Sequence, residues 1–177
     1  MAAQSVFASA FCQPFDGRAD VVMSVRPEHL ANIACGEKNH EYRKYSLPMT
    51  VKRVWFYTTA PVSAIEYVAQ VGPGRKPGQV PEDGGIGNAD FNAGRKVSKF
   101  GHEVLRLWKV REPIFLSTAK ARGVLKAPPQ KYNFAPRELV EGWPLSDMEI
   151  VVDRRGKPAP AVKQGESEEE VQCKTVQ

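Results

Sequence analysis

The short helix bracketed by Pro27 and Gly36 constrains this chain more than any other feature. Arg26-Pro27-Glu28 opens it, because proline suits the first helical position and glutamate the first turn. Leu30, Ile33 and Ala34 follow at i, i+3 and i+4, making one apolar stripe. Gly36 ends the helix, as the residue that most easily turns left-handed. An apolar run over 21–25 precedes the helix and reads as a buried strand. Further strands are expected near Glu41–Tyr45, over Arg53–Thr58 with its Val, Trp, Phe and Tyr, and over Ala64–Val71. Glu103–Val110 alternates, with Leu105 and Leu107 on one face and Val104, Arg106 and Trp108 on the other. Glu112-Pro113 is expected to break it, and Met148–Val152 reads as a last strand. Asn88–Phe91, Ser117–Arg122 and Pro136–Glu141 read as short helical pieces. Five or six short strands without a βαβ rhythm predict an α+β chain or a small β-barrel.

The chain has 177 residues, enough for one domain with a sizeable core. We expect a flexible segment over 1–19, one domain over 20–152, and a disordered tail over 153–177 that is acidic at its end. Nine of the sixteen residues from Gly72 to Gly87 are Gly or Pro, which predicts a long mobile loop, a basic flap carrying Arg75 and Lys76. The formal charge is +5, and residues 164–177 hold four glutamates against one lysine; residues 1–163 therefore carry 5 + 3 = +8. A basic body fits a polyanionic partner. Cys12, Cys35 and Cys173 are odd in number and irregular in spacing, which argues against a disulfide framework. Cys35 reads as a small packed residue at the helix end, and Cys35, His29 and His40 lack metal-ligand spacing. No metal and no cofactor are expected; Gly72-x-Gly74 lacks the Gly-Lys-Ser/Thr of a phosphate-cradling loop. No run is long enough to span a membrane and none resembles a secretory signal, so the chain reads as intracellular, cytoplasmic or nuclear.

The segment from Gly36 to Lys44 concentrates the charge. Lys38 lies at the turn after the helix, and strand periodicity puts Glu41 and Arg43 on one face. One carboxylate between two cations makes a polar pocket floor, or a pairing that fixes the helix–strand junction. A cleft bounded by Ser24, Arg26, Tyr57, Thr58 and Thr59 would face it. As an exposed cluster it would cost on the order of 1 kcal/mol or less to disrupt. Tyr42, Tyr45, Trp55, Tyr57 and Tyr132 interleave with the cations, and exposed rings stack on unpaired bases. Trp55 and Trp108 read as core.

Three blocks together resemble a known family: Met-Ser-Val-Arg-Pro-Glu-His-Leu from Met23, the element carried by Gly36, Lys38, Glu41 and Arg43, and the aromatic strand ending in Tyr57-Thr58-Thr59-Ala60-Pro61-Val62. They are similar to the ASCH domain family of the PUA-like superfamily, over roughly residues 20–135. The resemblance implies a PUA-like small β-barrel with flanking helices. It also implies a cleft that accepts RNA, a nucleotide or a modified base, with Lys38, Glu41 and Arg43 at its mouth. Some ASCH-like proteins are small amidohydrolases that release an acyl group from acetylcytidine, using a lysine and a threonine three residues later. Lys38 matches the lysine, and Glu41 stands at the threonine position. The alternatives to a binding module are therefore a small hydrolase acting on a nucleoside or RNA through Lys38 and Glu41, and a protein-interaction domain.

Overall fold

The computed structural model of the protein describes residues 15–155. Expectations for 1–14 and 156–177, including Cys12, Cys173 and the glutamate-rich end, lie outside the described residues. Seven strands form one mixed sheet: β1 (Asp20–Val25), β2 (His40–Arg43), β3 (Arg53–Thr58), β4 (Ala64–Arg75), β5 (Phe100–Phe115), β6 (Asn133–Phe134) and β7 (Glu149–Asp153). Their order is β2-β5-β4-β3-β1-β6, with β7 also on β5. Among the described residues only the β1–β3 pairing is parallel. The sheet curls into a half-barrel accompanied by helices α1 (Pro27–Ala34), α2 (Asn88–Asn92), α3 (Leu116–Ala121) and α4 (Arg137–Gly142).

Strand alternation divides the core in two. Val21, Met23, Val25, Val54 and Phe56 face one cluster, closed by Leu30 and Ile33 of α1. Val22, Trp55 and Tyr57 face the other, covered by Ala119 of α3 and Leu139 of α4. Asp20 joins β1 to β3 on the side of the second: its carboxylate accepts from Arg53 Nε at 2.8 Å and Trp55 Nε1 at 2.9 Å. Helix α1 begins at Pro27 and is followed by Gly36 at φ +89°, so both expected boundaries stand. Arg154 Nη2 donates to the Gly36 carbonyl at 2.7 Å, a cation at the helix C-terminus.

Several boundaries differ from expectation. Strand β4 extends four residues further to Arg75, so the Gly/Pro-rich connection begins after Gly72–Arg75 rather than with it. Strand β5 continues through Glu112-Pro113, because its register with β4 shifts between Ile65 and Tyr67 and Pro113 stands where no ladder bond is required. A second register shift, between Gln70 and Val71, breaks the expected alternation: Val104 and Leu107 face the same core. The two-residue β6 was not anticipated. Asp153 ends β7 and Arg154 is anchored, so the ordered body passes the expected limit at 152. Cys35 is exposed rather than packed, since it lies one residue beyond the α1 stripe.

The connection from β4 to α2 is stitched to β2 by side-chain amides. Asn39 Nδ2 donates to both Asp83 oxygens at 2.8 Å, which fixes the amide orientation because a carboxylate only accepts. Asn39 Oδ1 then accepts from Asn88 Nδ2 at 3.0 Å and from His40 Nδ1 at 2.8 Å. Asn88 also donates to the Pro81 carbonyl at 2.9 Å and accepts from the Tyr42 hydroxyl. Gly85 is needed here: a Cβ at that position would lie 2.4 Å from Asn39 Oδ1. Val80 is buried in the same connection.

His40 is held neutral inside this network. Burial first, and the Arg75 guanidinium second, lower its pKa from 6.5 to about 4. Between those values the unfolded chain binds more protons than the folded one, so stability rises with pH. Stability is therefore complete above about pH 6.5 and falls as pH drops toward 4, by up to about 3 kcal/mol from this residue. An NMR titration of the His40 ring should give a midpoint near 4. A midpoint near the ordinary histidine value contradicts this account.

Candidate functional site

The charged segment folds as one constellation. After Gly36 the Lys38 N–H donates to the Asn32 carbonyl at 2.8 Å, turning the chain directly from α1 into β2. Glu41 Oε2 accepts from Lys38 Nζ, and Glu41 Oε1 pairs with Arg43 Nη2 at 2.9 Å. Arg43 Nη2 also donates to the Ser24 carbonyl at 2.7 Å. That bond crosses from β2, one end of the sheet order, to β1 near the other. It joins the two sides of the curled sheet where no ladder does.

The constellation is buried, not exposed: Lys38 is 6% and Glu41 4% accessible. This corrects the expectation of a cheaply disrupted surface cluster. Both Glu41 oxygens are committed to cations, so a substrate proton reaches this carboxylate only if one cation lets go. Of the three, Arg43 is the one whose side chain retains some exposure, 20%.

The other expected site residues divide. Ser24 joins the constellation through its carbonyl, and its hydroxyl donates to the Pro129 carbonyl at 2.8 Å. Arg26 stands exposed at the start of α1, 3.8 Å from Glu28. Tyr57 is buried in the second core, on the far side of the sheet. Thr58 is buried with its hydroxyl donating to Glu66, and Thr59 N–H donates to the Val25 carbonyl at 2.9 Å. Arg26, Tyr57, Thr58 and Thr59 make no hydrogen bond or ion pair with the three charged residues. Alternation along β3 turns Tyr57 away, so a wall formed by all five residues is not what the chain builds.

A strip of rings and cations adjoins instead. The Tyr45 hydroxyl donates to the Lys131 carbonyl at 2.6 Å, and its pKa is raised by burial. The Lys131 ammonium lies 4.7 Å from the Tyr45 ring centre and 5.4 Å from that of Tyr132. Tyr132 meets Tyr45 at 5.8 Å and Phe134 edge-on at 5.9 Å, and Phe134 is 41% exposed. Tyr42, interleaved with the cations in the sequence, serves the interior by packing on Phe91, and Trp55 is buried, in keeping with its core reading. Lys131 and Phe134 carried no sequence signal; they reach the strip only because β6 pairs with β1. Trp108 is buried, as expected.

Among the described residues no cluster of histidine, cysteine, aspartate or glutamate is arranged to hold a metal ion. No described helix is long and apolar enough to cross a membrane.

Removing Glu41 leaves two buried cations without their anion. Glu41→Ala should cost about 3–5 kcal/mol in urea unfolding, against about 0.5 kcal/mol or less for Arg26→Ala. A loss below about 1 kcal/mol for Glu41→Ala contradicts the buried-lock reading.

No family model matches the sequence, and no curated protein matches it. Solved structures do. The crystal structure of ASCH from Zymomonas mobilis is similar at TM-score 0.53 and 21% identity, over 75% of this chain and 97% of that one. A serine-to-alanine variant of the Zymomonas mobilis protein matches at TM-score 0.52 and 22% identity, over 76% of this chain and 100% of that one. The half-barrel of mixed strands with its few helices is thus an ASCH-like, PUA-like fold.

Proposed function

We propose that the protein is a nucleic-acid-binding module that takes single-stranded RNA, or a nucleotide from it, along the strip beside Arg43. The observation that carries this reading is the Lys131 ammonium set against two tyrosine rings, with Phe134 exposed at the edge. Cations neutralise phosphates and ring faces accept unpaired bases, and both stand together here. The +8 formal charge of residues 1–163 supports it. In this reading Lys38 and Glu41 position Arg43, and the ligand meets Arg43, Lys131, Tyr132 and Phe134. The ASCH-like fold is compatible with this role.

Fluorescence anisotropy with a labelled oligouridylate of about ten nucleotides tests the reading. Affinity should fall between about 50 mM and 200 mM salt, with a log–log slope of roughly −0.7 per phosphate contacted. Tyr132→Ala should weaken binding by about 1–3 kcal/mol, the scale of one stacked base, with a small change in melting temperature. Binding that ignores salt, or that survives Tyr132→Ala unchanged, overturns the proposal.

A further inference from the structure

The ladder between β1 and β6 stops where its next hydrogen-bonded pair would form. Phe134 pairs with Val21 and Asn133 with Val22, and the Ala135 N–H donates to the Asp20 carbonyl at 2.9 Å. Hydrogen-bonded pairs alternate along an antiparallel ladder, so Asp20–Ala135 and Val22–Asn133 are of that kind and Ser24–Lys131 is next in register. Among the described residues no backbone hydrogen bond joins Ser24 to Lys131. The Ser24 carbonyl nevertheless faces the β6 edge: the Val25 carbonyl accepts from Thr59 N–H on the β3 side, and successive carbonyls of a strand point to opposite edges.

Side chains from beyond the gap hold both halves of the missing pair. The Ser24 carbonyl accepts from Arg43 Nη2 at 2.7 Å, and the Lys131 carbonyl accepts from the Tyr45 hydroxyl at 2.6 Å. The bond from the guanidinium is charge-assisted and stronger than a neutral backbone bond, and Glu41 fixes that guanidinium from behind. The Ser24 hydroxyl donates to the Pro129 carbonyl at 2.8 Å, which keeps this stretch of chain beside β1 without pairing to it. The turn of the Lys131 carbonyl toward Tyr45 accompanies the placing of the Lys131 ammonium over the Tyr45 and Tyr132 rings. In a continued ladder that carbonyl would accept from the Ser24 N–H instead, and Lys131 would leave Tyr45.

We propose that Arg43 and Tyr45 are positioning residues that block the Ser24–Lys131 ladder pair, and that this block holds the Lys131–Tyr132 strip in its ligand-ready shape. Once the block is removed, β6 lengthens to Lys131 and the strip comes apart. The consequence for a ligand rests on the reading of the strip as an RNA site; the exchange of one bond set for the other is observed without RNA.

Amide hydrogen exchange of the whole protein reads the block. In the native protein the Lys131 N–H should exchange faster than that of Asn133. Tyr45→Phe, which keeps the ring and removes only the donor, should slow Lys131 exchange by about threefold or more, and Arg43→Lys with Tyr45→Phe by about tenfold or more. A merely structural role would speed that exchange. The Lys131 ε-methylene protons should also lose the ring-current shift that Tyr45 and Tyr132 impose. The proposal is overturned if the native Lys131 amide is already as protected as that of Asn133. It is overturned as well if either folded variant exchanges Lys131 as fast as the native protein or faster, or if the ε protons keep their native shift. Oligouridylate affinity should fall about threefold or more in Tyr45→Phe, although the stacking ring remains. Unchanged affinity beside a slowed Lys131 amide overturns the link to the ligand. A native protein that binds no oligouridylate sinks the RNA reading alone, and the exchange and ring-current measurements still decide this inference.

Discussion

The Glu41 carboxylate held between Lys38 and Arg43 is the interaction on which the rest of this structure depends. Two cations and one anion out of water are tolerated only when each is paired. That requirement fixes Lys38 at the end of α1, Glu41 on the inner face of β2, and the Arg43 guanidinium against the Ser24 carbonyl. The sheet order leaves β2 and β1 unpaired with each other, and the guanidinium spans the opening between them. A neutral side chain of similar size could fill the gap, but it would not tie α1, β2 and β1 by one charge balance.

In the proposed function, the closure also accounts for where a ligand would meet the protein. Lys38 and Glu41 are turned inward and fully engaged. What reaches the surface beside them comes from the far end of the domain: Lys131 and Tyr132, brought to Tyr45 by the segment that pairs as β6. In the proposed function the buried charges set the frame, and the later chain supplies the contact surface.

How much of this was legible in the sequence depends on the range of the forces involved. The α1 boundaries follow from Pro27 and Gly36, which act on their own backbone, and both stand in the structure. The shared face of Glu41 and Arg43 follows from strand period, and the pair indeed meets one another. Burial of that pair is different, because a charge run looks the same on a solvated turn and inside a closed barrel. Asn39, Asp83 and Asn88 form one hydrogen-bond network, yet partners 44 and 49 residues apart leave no periodic trace. Tyr57 was misplaced because its role depends on which side of β3 faces α3 and α4. Pro113 misled for a local reason: proline ends a strand only where a ladder bond is required of it.

One measurement bears most directly on this account: a titration of the isotopically labelled protein with single-stranded RNA, followed residue by residue in amide correlation spectra. The account predicts shifts concentrated at Ser24, Arg43, Tyr45, Lys131, Tyr132 and Phe134, with Tyr57 and the second core quiet. Shifts centred on α3 and α4 instead, or none at low salt, would contradict it.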